Sequence, residues 1–290
     1  MLEMMKTCCI RRWPFIALFF GVLLYASTSL AQISITAVDS GPFTPGSTIG
    51  VPFSIAIGCA GQGNQFQLYL SDENGNFAAE KLIGSYTGFY STYVNGVIPV
   101  GTVPGTGYKV RIKSTNPVSV SDPSTFFEIK SGTAVEAKLS SSLLRPDHPE
   151  TFGTCISKPA NLLYLTNEST ANSLVTASVN NEVVAGVTNI TFDTPIKQFT
   201  ADQVHYTILT KAVMPDGTVG TKAYLIVNNK TVTAFGTSGN NVVCLPQGQL
   251  EFNVDITSPD GIQKNFPGNS YVITWGDNET TTYTLCDIKS

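Results

Sequence analysis

The sequence predicts an all-β protein of tandem antiparallel β-sandwiches, the last of them incomplete, and three observations support this prediction. Only 13% of the 290 residues are charged, about half of the fraction that is usual in soluble proteins. Glycine, serine, threonine, asparagine and valine, which favour turns or strands, are common. Short runs in which apolar and polar residues alternate are separated by turn-forming residues at even spacing, as in all-β domains.

Residues 1–31 have the pattern of a secretory signal peptide. A basic segment precedes an apolar run, FIALFFGVLLYA at 15–26, which is short for a membrane span. The basic residues are Lys6, Arg11 and Arg12. Ser29 and Ala31 occupy the small −3 and −1 positions of a cleavage site, so the mature chain is expected to begin near Gln32. We therefore expect a secreted or cell-surface protein with no membrane insertion after cleavage; the alternative is an uncleaved anchor.

Residues 32–132 are predicted to form the first sandwich. The run QFQLYLS at 65–71 places its apolar side chains on one face, and YKVRIK at 108–113 alternates in the same way. The basic residues that YKVRIK turns outward are Lys109, Arg111 and Lys113. Asn74-Gly75 marks a tight turn, and Pro52 suggests that its strand lies at a sheet edge. About seven strands in about a hundred residues are typical of a two-sheet, immunoglobulin-like sandwich.

Two further units are expected after the boundary segment KSGTAVEAK. Residues 133–229 contain several strand-like runs, and YTILTKAVM and TKAYLIV are joined by a turn at 215–217 as a hairpin. Residues 230–290 contain QLEFNVDI, SYVITW and TTYTLCDI, which are too few strands for a stable sandwich. We therefore expect the sequence to end inside a third, truncated sandwich.

The cysteines remaining after signal cleavage are even in number, which permits two disulfides with three possible connectivities in an oxidising compartment. They are Cys59, Cys155, Cys244 and Cys286. Cys244 and Cys286 flank one cluster of strands and form the preferred pair, although unpaired cysteines remain open. The absence of any C-x-x-C spacing argues against a structural zinc site.

Charge and motifs argue against several classes of function. The net charge of −4 predicts no basic face, and therefore no nucleic-acid partner and no patch for anionic lipid. His148 is expected in an exposed loop and His205 at the start of a strand, so neither indicates catalysis. No nucleophile elbow, phosphate-binding loop or HExxH motif occurs. We therefore expect no enzyme activity, no catalytic residue, no bound metal and no cofactor.

Three segments each allow a structural and a functional interpretation: DENGN, SYTGFYSTYVNG and Trp275-Gly276-Asp277. The DENGN segment at 72–76 alternates oxygen-bearing side chains as calcium loops do, but lacks the glycine and the final carboxylate of such a loop, which favours a hairpin turn. The aromatic residues of SYTGFYSTYVNG could stack on sugars or pack a sandwich edge, and packing is preferred. They are Tyr86, Phe89, Tyr90 and Tyr93.

The Trp275-Gly276-Asp277 segment is interpreted as a structural turn. The tryptophan would cover the end of a core, the glycine would take the bend, and the aspartate would accept local backbone N–H bonds. The functional alternative is a calcium or ligand role for Asp277 with Glu279.

A family resemblance adds to this interpretation. GNQFQLYLSDENGNFAAEKLIGS and VIPVGTVPGTGYKVRIKSTNP resemble the Ig-like repeats of large surface proteins of gliding gram-negative bacteria. The resemblance covers most of residues 49–129. The matching residues are Gly63, Asn64, Phe66, Leu70, Ser71, Asp72, Gly75, Phe77, Gly105, Gly107, Tyr108, Arg111, Ser114 and Pro117.

The C-terminal segment is similar to the polycystic-kidney-disease-type (PKD) domains of the same gliding-motility-associated proteins. Its matching residues are Asn265, Phe266, Pro267, Gly268, Asn269, Tyr271, Trp275, Gly276 and Asp277. The resemblance implies a long multidomain protein at the cell surface. Such PKD domains continue with a further pair of strands, which agrees with the expectation of a truncated third unit.

The sequence therefore supports two hypotheses of function. The first is a non-enzymatic, exported surface protein whose sandwiches serve as spacer and adhesion modules, with an extracellular protein or polysaccharide as partner. The alternative is an accessory carbohydrate-binding portion of a secreted hydrolase whose catalytic domain lies beyond Ser290. The reading frame after Ser290 would separate the two.

Overall fold

The computed structural model describes most of the chain between residues 33 and 283. The described residues are 33–55, 60–61, 63–88, 90–142, 144–145, 148–154, 162–182, 184–203, 205–228, 235–237, 252–254, 271–275 and 277–283. The regular structure in these ranges is β throughout, and they contain no helix able to cross a membrane. The predicted signal peptide at 1–31, Gly276 and the predicted pair of Cys244 and Cys286 lie outside the described residues.

The first sandwich is built from two facing sheets and a short strand pair. Its strands are β1 (Ile33–Ile35), β2 (Thr48–Ile55), β3 (Gln65–Leu70), β4 (Lys81–Thr87), β5 (Tyr93–Val97), β6 (Gly105–Tyr108), β7 (Val110–Thr115), β8 (Val118–Val120) and β9 (Phe127–Ile129). One sheet has the order β1-β2-β5, the other β4-β3-β7-β8, and β6 pairs with β9. The strand pairs among β1 to β9 are antiparallel.

The alternation predicted for β3 and β7 is present in the structure. Phe66, Leu68 and Leu70 are buried, as are Val110 and Ile112, and all five belong to one core cluster between the sheets. Because successive side chains of a strand point to opposite faces, the polar residues between them form the outer face of the β4-β3-β7-β8 sheet. The sequence pattern therefore predicted correctly which side chains of β3 and β7 face the core.

The position of β2 differs from the one predicted from Pro52. β2 lies between β1 and β5, so it is not an edge strand. The ladder to β1 runs from Phe53 to Ile55 and stops one residue short of Pro52. Beyond that ladder the Thr36 N–H still donates to the Pro52 carbonyl at 3.0 Å, so the proline costs the sheet a single hydrogen bond, at the end of the β1 pairing.

The second sandwich follows along the chain. Its strands are β10 (Leu139–Ser140), β11 (Leu144–Arg145), β12 (His148–Thr154), β13 (Leu162–Asn167), β14 (Leu174–Asn181), β15 (Val187–Thr191), β16 (Ile196–Thr200), β17 (His205–Val213) and β18 (Val219–Asn228). They form sheets with the orders β10-β13-β16 and β11-β12-β18-β17-β14-β15. β12 and β18 pair in parallel, whereas the other pairs of the larger sheet are antiparallel.

The hairpin predicted from YTILTKAVM and TKAYLIV is confirmed as β17 and β18. Its turn is closed by the Met214 N–H, which donates to the Thr218 carbonyl at 2.8 Å. Gly217 has a φ of +81° in this turn, a conformation that glycine adopts without steric cost. Of the histidines, His205 opens β17 as predicted, but His148 opens β12 and the prediction of a loop there is wrong.

The last described residues form two short antiparallel pairs. β19 (Phe235–Thr237) pairs with β20 (Phe252–Val254), and β21 (Tyr271–Thr274) pairs with β22 (Thr280–Tyr283). The chain is thus an all-β protein with antiparallel sandwiches in tandem, which confirms the predicted fold class. The unit boundaries expected after residues 132 and 229 stay predictions.

Candidate functional site

The two sandwiches are packed face to face, and β18 forms the centre of their contact. Tyr224 and Ile226 of this strand point into the core of the second sandwich. Alternate residues point the other way, towards the first sandwich, and form a separate buried cluster. Its members are Tyr93, Ala223, Leu225 and Val227, with Leu209 packed against them. The β18 strand is therefore buried on both faces, by its own sandwich on one side and by β5 on the other.

A side chain of the first sandwich completes the hydrogen bonding of β18. Asn95 donates from Nδ2 to the Ala223 carbonyl at 2.8 Å and accepts the Ala223 N–H at Oδ1 at 2.8 Å. The parallel ladder to β12 starts only at Leu225. The Asn95 amide therefore occupies the place of a strand neighbour for Ala223, and satisfies two backbone groups that would be costly to bury unpaired.

Further polar contacts cross the same interface. The Gly50 N–H donates to Thr221 Oγ1 at 2.9 Å, and the Val219 N–H donates to the Pro42 carbonyl at 2.9 Å. Lys211 and Asp39 form an ion pair at 2.6 Å. Gly50 also allows β2 to come close to β18, because a Cβ atom on residue 50 would lie 2.6 Å from the Ala223 nitrogen. The two backbones are thus closer here than any side chain on residue 50 would allow.

The segment between the sandwiches is packed against both of them. Val135 and Ala137 are fully buried. Val135 donates its N–H to Ser47 Oγ at 2.8 Å and accepts the Thr48 N–H at 3.1 Å. On its other side, the Val135 carbonyl lies against Gly220 of β18, where a Cβ would come within 2.2 Å of the oxygen. The connection is therefore an ordered part of the interface and not a loose tether.

The aromatic residues considered for sugar binding belong largely to this interface. Tyr93 is 2% exposed, and its hydroxyl donates to the Glu150 carbonyl at 3.2 Å. Tyr86 packs edge-on against Tyr93, and Tyr90 packs edge-on against His205. Burial raises the pKa of Tyr86 and of Tyr90 to about 12. These rings serve packing, while Phe89 lies outside the described residues.

His205 makes the stability of the folded chain sensitive to pH. Burial lowers its pKa below the usual value of 6.5, and the charge of Glu182 opposes the shift only in part. The unfolded chain therefore binds this proton more readily than the folded chain. The stability that results is present above pH 6.5 and is lost as the pH falls through the lower pKa of the folded state.

We expect the free energy of unfolding to fall between about pH 7.5 and about pH 5.5, and this fall to be smaller in His205→Gln. Chemical denaturation at the two pH values measures it. His148→Gln is the matched control, because the chain has two histidines. Equal pH dependence in wild type and His205→Gln would contradict the prediction.

The turn at residues 275–279 has the hydrogen bonds of a closed hairpin turn. The Trp275 N–H donates to the Glu279 carbonyl at 2.8 Å, and the Glu279 N–H donates to Asp277 Oδ1 at 3.0 Å. Trp275 Nε1 also donates to Thr281 Oγ1 at 2.8 Å. Asp277 thus has an acceptor role in the turn. That Trp275 covers the end of a core and that Gly276 takes the bend stay predictions, since Gly276 and most of the chain around this turn lie outside the described residues.

The DENGN segment also forms a turn. Asp72 Oδ1 accepts the N–H groups of Asn74 and Asn76, at 3.0 and 2.8 Å. Gly75 has a φ of +81° and donates its N–H to the Asp72 carbonyl at 3.1 Å. One of the two Asp72 carboxylate oxygens therefore closes the turn by accepting backbone N–H groups. Across the described ranges, no group of three or more His, Cys, Asp or Glu side chains is placed to hold a metal ion.

The outer face of the β4-β3-β7-β8 sheet concentrates positive charge, contrary to the expectation from net charge. Arg111 and Lys113 of β7 share the carboxylate of Glu80, with Arg111 Nη2 at 2.6 Å from Glu80 Oε2. Partial burial alone would raise the pKa of Glu80, but the hydrogen bonds from Lys113 and Arg111 outweigh it and lower that pKa. Lys109 lies next to them along the chain. A net charge of −4 averages over the molecule and hides this local cluster, although the alternation of YKVRIK had placed all three cations outward.

Each of these cations also lies over an aromatic ring. Lys109 Nζ is 4.1 Å from the centroid of Phe126, and Lys113 Nζ is 4.6 Å from that of Tyr69. The Arg111 guanidinium is 4.5 Å from the centroid of Phe77. Such contacts hold the cations in place on the sheet at a small gain in stability.

Comparisons with known proteins give structural similarities alone. A scan against known protein families and a search of curated proteins find no match. Among solved structures, the fibronectin(III)-like modules of Clostridium thermocellum CbhA are 14% identical, with 69% of this chain and 95% of that chain covered and a TM-score of 0.23. The tetra-tandem repeat in the extending region of a large adhesion protein is 13% identical, with 90% and 65% covered and a TM-score of 0.25. The BSP domain of a biofilm associated protein is 15% identical, with 68% and 30% covered and a TM-score of 0.29. At these values the fold class rests on the strand pairing described above.

Proposed function

We propose that this chain is a non-enzymatic, exported cell-surface protein whose tandem sandwiches act as a rigid spacer and adhesion module. The observation that carries the proposal is the packed contact between the sandwiches. A spacer transmits position only if its modules keep a fixed orientation. Asn95 bonded to both backbone groups of Ala223, and Val135 buried between the sandwiches, supply such a fixed orientation.

The sequence supports the remaining parts of the proposal. The N-terminal pattern, with cleavage before Gln32, would deliver residues 32–132, 133–229 and 230–290 as successive sandwich units outside the cytoplasm. The resemblance to Ig-like and PKD-type repeats of gliding bacteria supports a place at the cell surface, with an extracellular protein or polysaccharide as partner. In this view Cys244 and Cys286 pair with each other, and Trp275, Gly276 and Asp277 form a structural turn.

Export can be tested with the full chain in a gram-negative host. We expect the purified protein to begin at Gln32 and to be absent from the cytoplasm. A variant with Phe19→Arg and Leu23→Arg interrupts the apolar run and should accumulate unprocessed, since charges in that segment oppose translocation. Sequencing of the N-terminus and cell fractionation measure both results. A wild-type chain that starts at Met1 and remains in the cytoplasm would overturn the proposal.

A further inference from the structure

We propose that the outer face of the β4-β3-β7-β8 sheet binds an acidic polysaccharide. This inference rests on the proposed function, since such a polymer is met outside the cell. We call this surface the cationic face. It is defined by Gln65, Gln67 and Tyr69 of β3 and by Lys109, Arg111 and Lys113 on and next to β7.

The pairing of β3 and β7 arranges these side chains in two parallel rows. Tyr69 lies opposite Arg111, and Gln67 lies opposite Lys113. Because side chains on one face of a strand recur every two residues, neighbouring cations are about 7 Å apart and the row spans about 14 Å. A linear polymer with regularly repeated negative groups can contact several of them at once.

The charge balance of the cationic face favours an anionic ligand. Two of its three cations, Arg111 and Lys113, share the carboxylate of Glu80, which has 15% of its side chain exposed. The molecule as a whole has a net charge of −4. The local excess is therefore opposite in sign to the rest of the surface, and it is complementary to carboxylates or sulfates.

The neighbouring row is suited to sugar hydroxyls. Tyr69 Oη donates to Gln67 Oε1 at 3.0 Å, and Gln67 Nε2 donates to Gln65 Oε1 at 3.3 Å. This chain of planar amides and a phenol offers donors and acceptors beside the cations. On the other flank, Val118 and Val120 of β8 are 72% and 49% exposed and lie opposite Thr115 and Lys113. Their apolar surface can cover the C–H face of a sugar ring.

Other anionic polymers fit the cationic face less well. Nucleic-acid affinity comes mainly from many phosphate contacts, and three cations in a row of about 14 Å offer few of them. A lipid surface requires apolar side chains that enter the bilayer together with the basic residues, and the apolar flank here is a short edge strand. An extended, hydroxyl-rich polymer with spaced charges can contact the cations, the polar side chains of β3 and the exposed valines of β8 at the same time.

The test uses the purified full chain and two polymers with the same sugar backbone, one with free carboxylates and one with methyl-esterified carboxyl groups. Polygalacturonate should bind, and its methyl ester should bind about tenfold more weakly or not at all, because the ester cannot form the charge-assisted hydrogen bonds that carboxylates form with the cations. Binding should also weaken as salt is raised. Equal binding of the acid and the ester would overturn the proposal, and this comparison needs no variant. Tighter binding of single-stranded DNA or of phosphatidylglycerol vesicles than of polygalacturonate would overturn it as well.

Variants locate the binding on the cationic face. Lys109→Gln combined with Arg111→Gln should lower polygalacturonate affinity at least about tenfold, for the same reason. The matched control is Lys138→Gln with Lys197→Gln, which removes two positive charges from the second sandwich; each of these lysines is paired with a carboxylate, as Arg111 is. Circular dichroism checks that each variant is folded, and Lys109→Gln alone serves if the double variant is not. An unchanged affinity in a folded variant would overturn the proposal. Binding by purified protein is independent of export, so this result and the N-terminal sequencing can fail separately.

Discussion

Replacing Gly50 by alanine is expected to lower the free energy of unfolding by about 1–3 kcal/mol, the usual cost of forcing extra volume into a packed contact. The new methyl would lie 2.6 Å from the Ala223 nitrogen and 2.9 Å from backbone atoms of Lys222. Backbone atoms cannot rotate away, so β2 and β18 must separate. The Gly50 bond to Thr221 and the Asn95 bonds to Ala223 would lengthen with them.

Gly186→Ala is the matched control for this substitution. Among the residues that the structure describes, its added methyl would meet the Val184 carbonyl oxygen alone, at 3.9 Å. Denaturant titration of both variants gives the comparison, and Gly186→Ala should stay within about 0.5 kcal/mol of wild type. Equal stability of the Gly50 and Gly186 variants would show that the sandwiches do not approach as closely as described.

Phe66→Ala is expected to have the largest effect of any truncation discussed, a loss of about 3–5 kcal/mol. The ring is fully buried between the sheets of the first sandwich and packs against Phe53 at a centroid distance of 5.1 Å. Its removal takes away apolar burial and leaves a cavity, because the surrounding strands are held by their ladders to β4 and β7. Equilibrium unfolding in urea measures the loss.

Val100→Ala serves as the control, since Val100 is 89% exposed and surface changes of this kind stay within about 0.5 kcal/mol. A loss below about 1 kcal/mol for Phe66→Ala, close to the range of surface substitutions, would contradict the full burial of Phe66 between the two sheets.

Local patterns predicted those parts of the fold that depend on neighbouring residues. The alternation in β3 and β7 follows from strand geometry alone, and the β17–β18 hairpin follows from two apolar runs around Pro215-Asp216-Gly217. Pro52 led to a wrong prediction because proline is tolerated both in an edge strand and at the end of a ladder. In each position its missing N–H leaves no neighbouring strand pair broken. That distinction depends on where β1 stops, which residues near Pro52 do not encode.

The interface between the sandwiches was outside the reach of sequence patterns. The run TKAYLIVNN shows a strand buried on both faces, since its apolar residues do not alternate. Its partner on the second face is set by the close approach at Gly50 and by Asn95, residues more than a hundred positions away. The cationic face was visible in YKVRIK but was obscured by the averaging of charge over the whole chain.

Rigidity and ligand binding are connected through this arrangement. The β4-β3-β7-β8 sheet is the outer layer of the first sandwich, and the β1-β2-β5 sheet is the layer that faces β18. The contact with the second sandwich therefore uses the face opposite to the cationic one. The proposed spacer role and the proposed binding surface are therefore compatible, because the contact between the sandwiches leaves the cationic face uncovered.

Native-state hydrogen exchange of the full chain tests most directly whether the two sandwiches form one rigid unit. The amide of Ala223 donates to Asn95 across the interface, that of Phe53 donates within the first sandwich, and that of Phe192 donates within the second. If the sandwiches open only together, the three amides share one opening free energy within about 0.5 kcal/mol. The contradicting result is an opening free energy for the Ala223 amide that is several kcal/mol lower than those of Phe53 and Phe192, roughly the range expected for local motions. It would show that the two sandwiches separate while each stays folded, which a rigid spacer does not do.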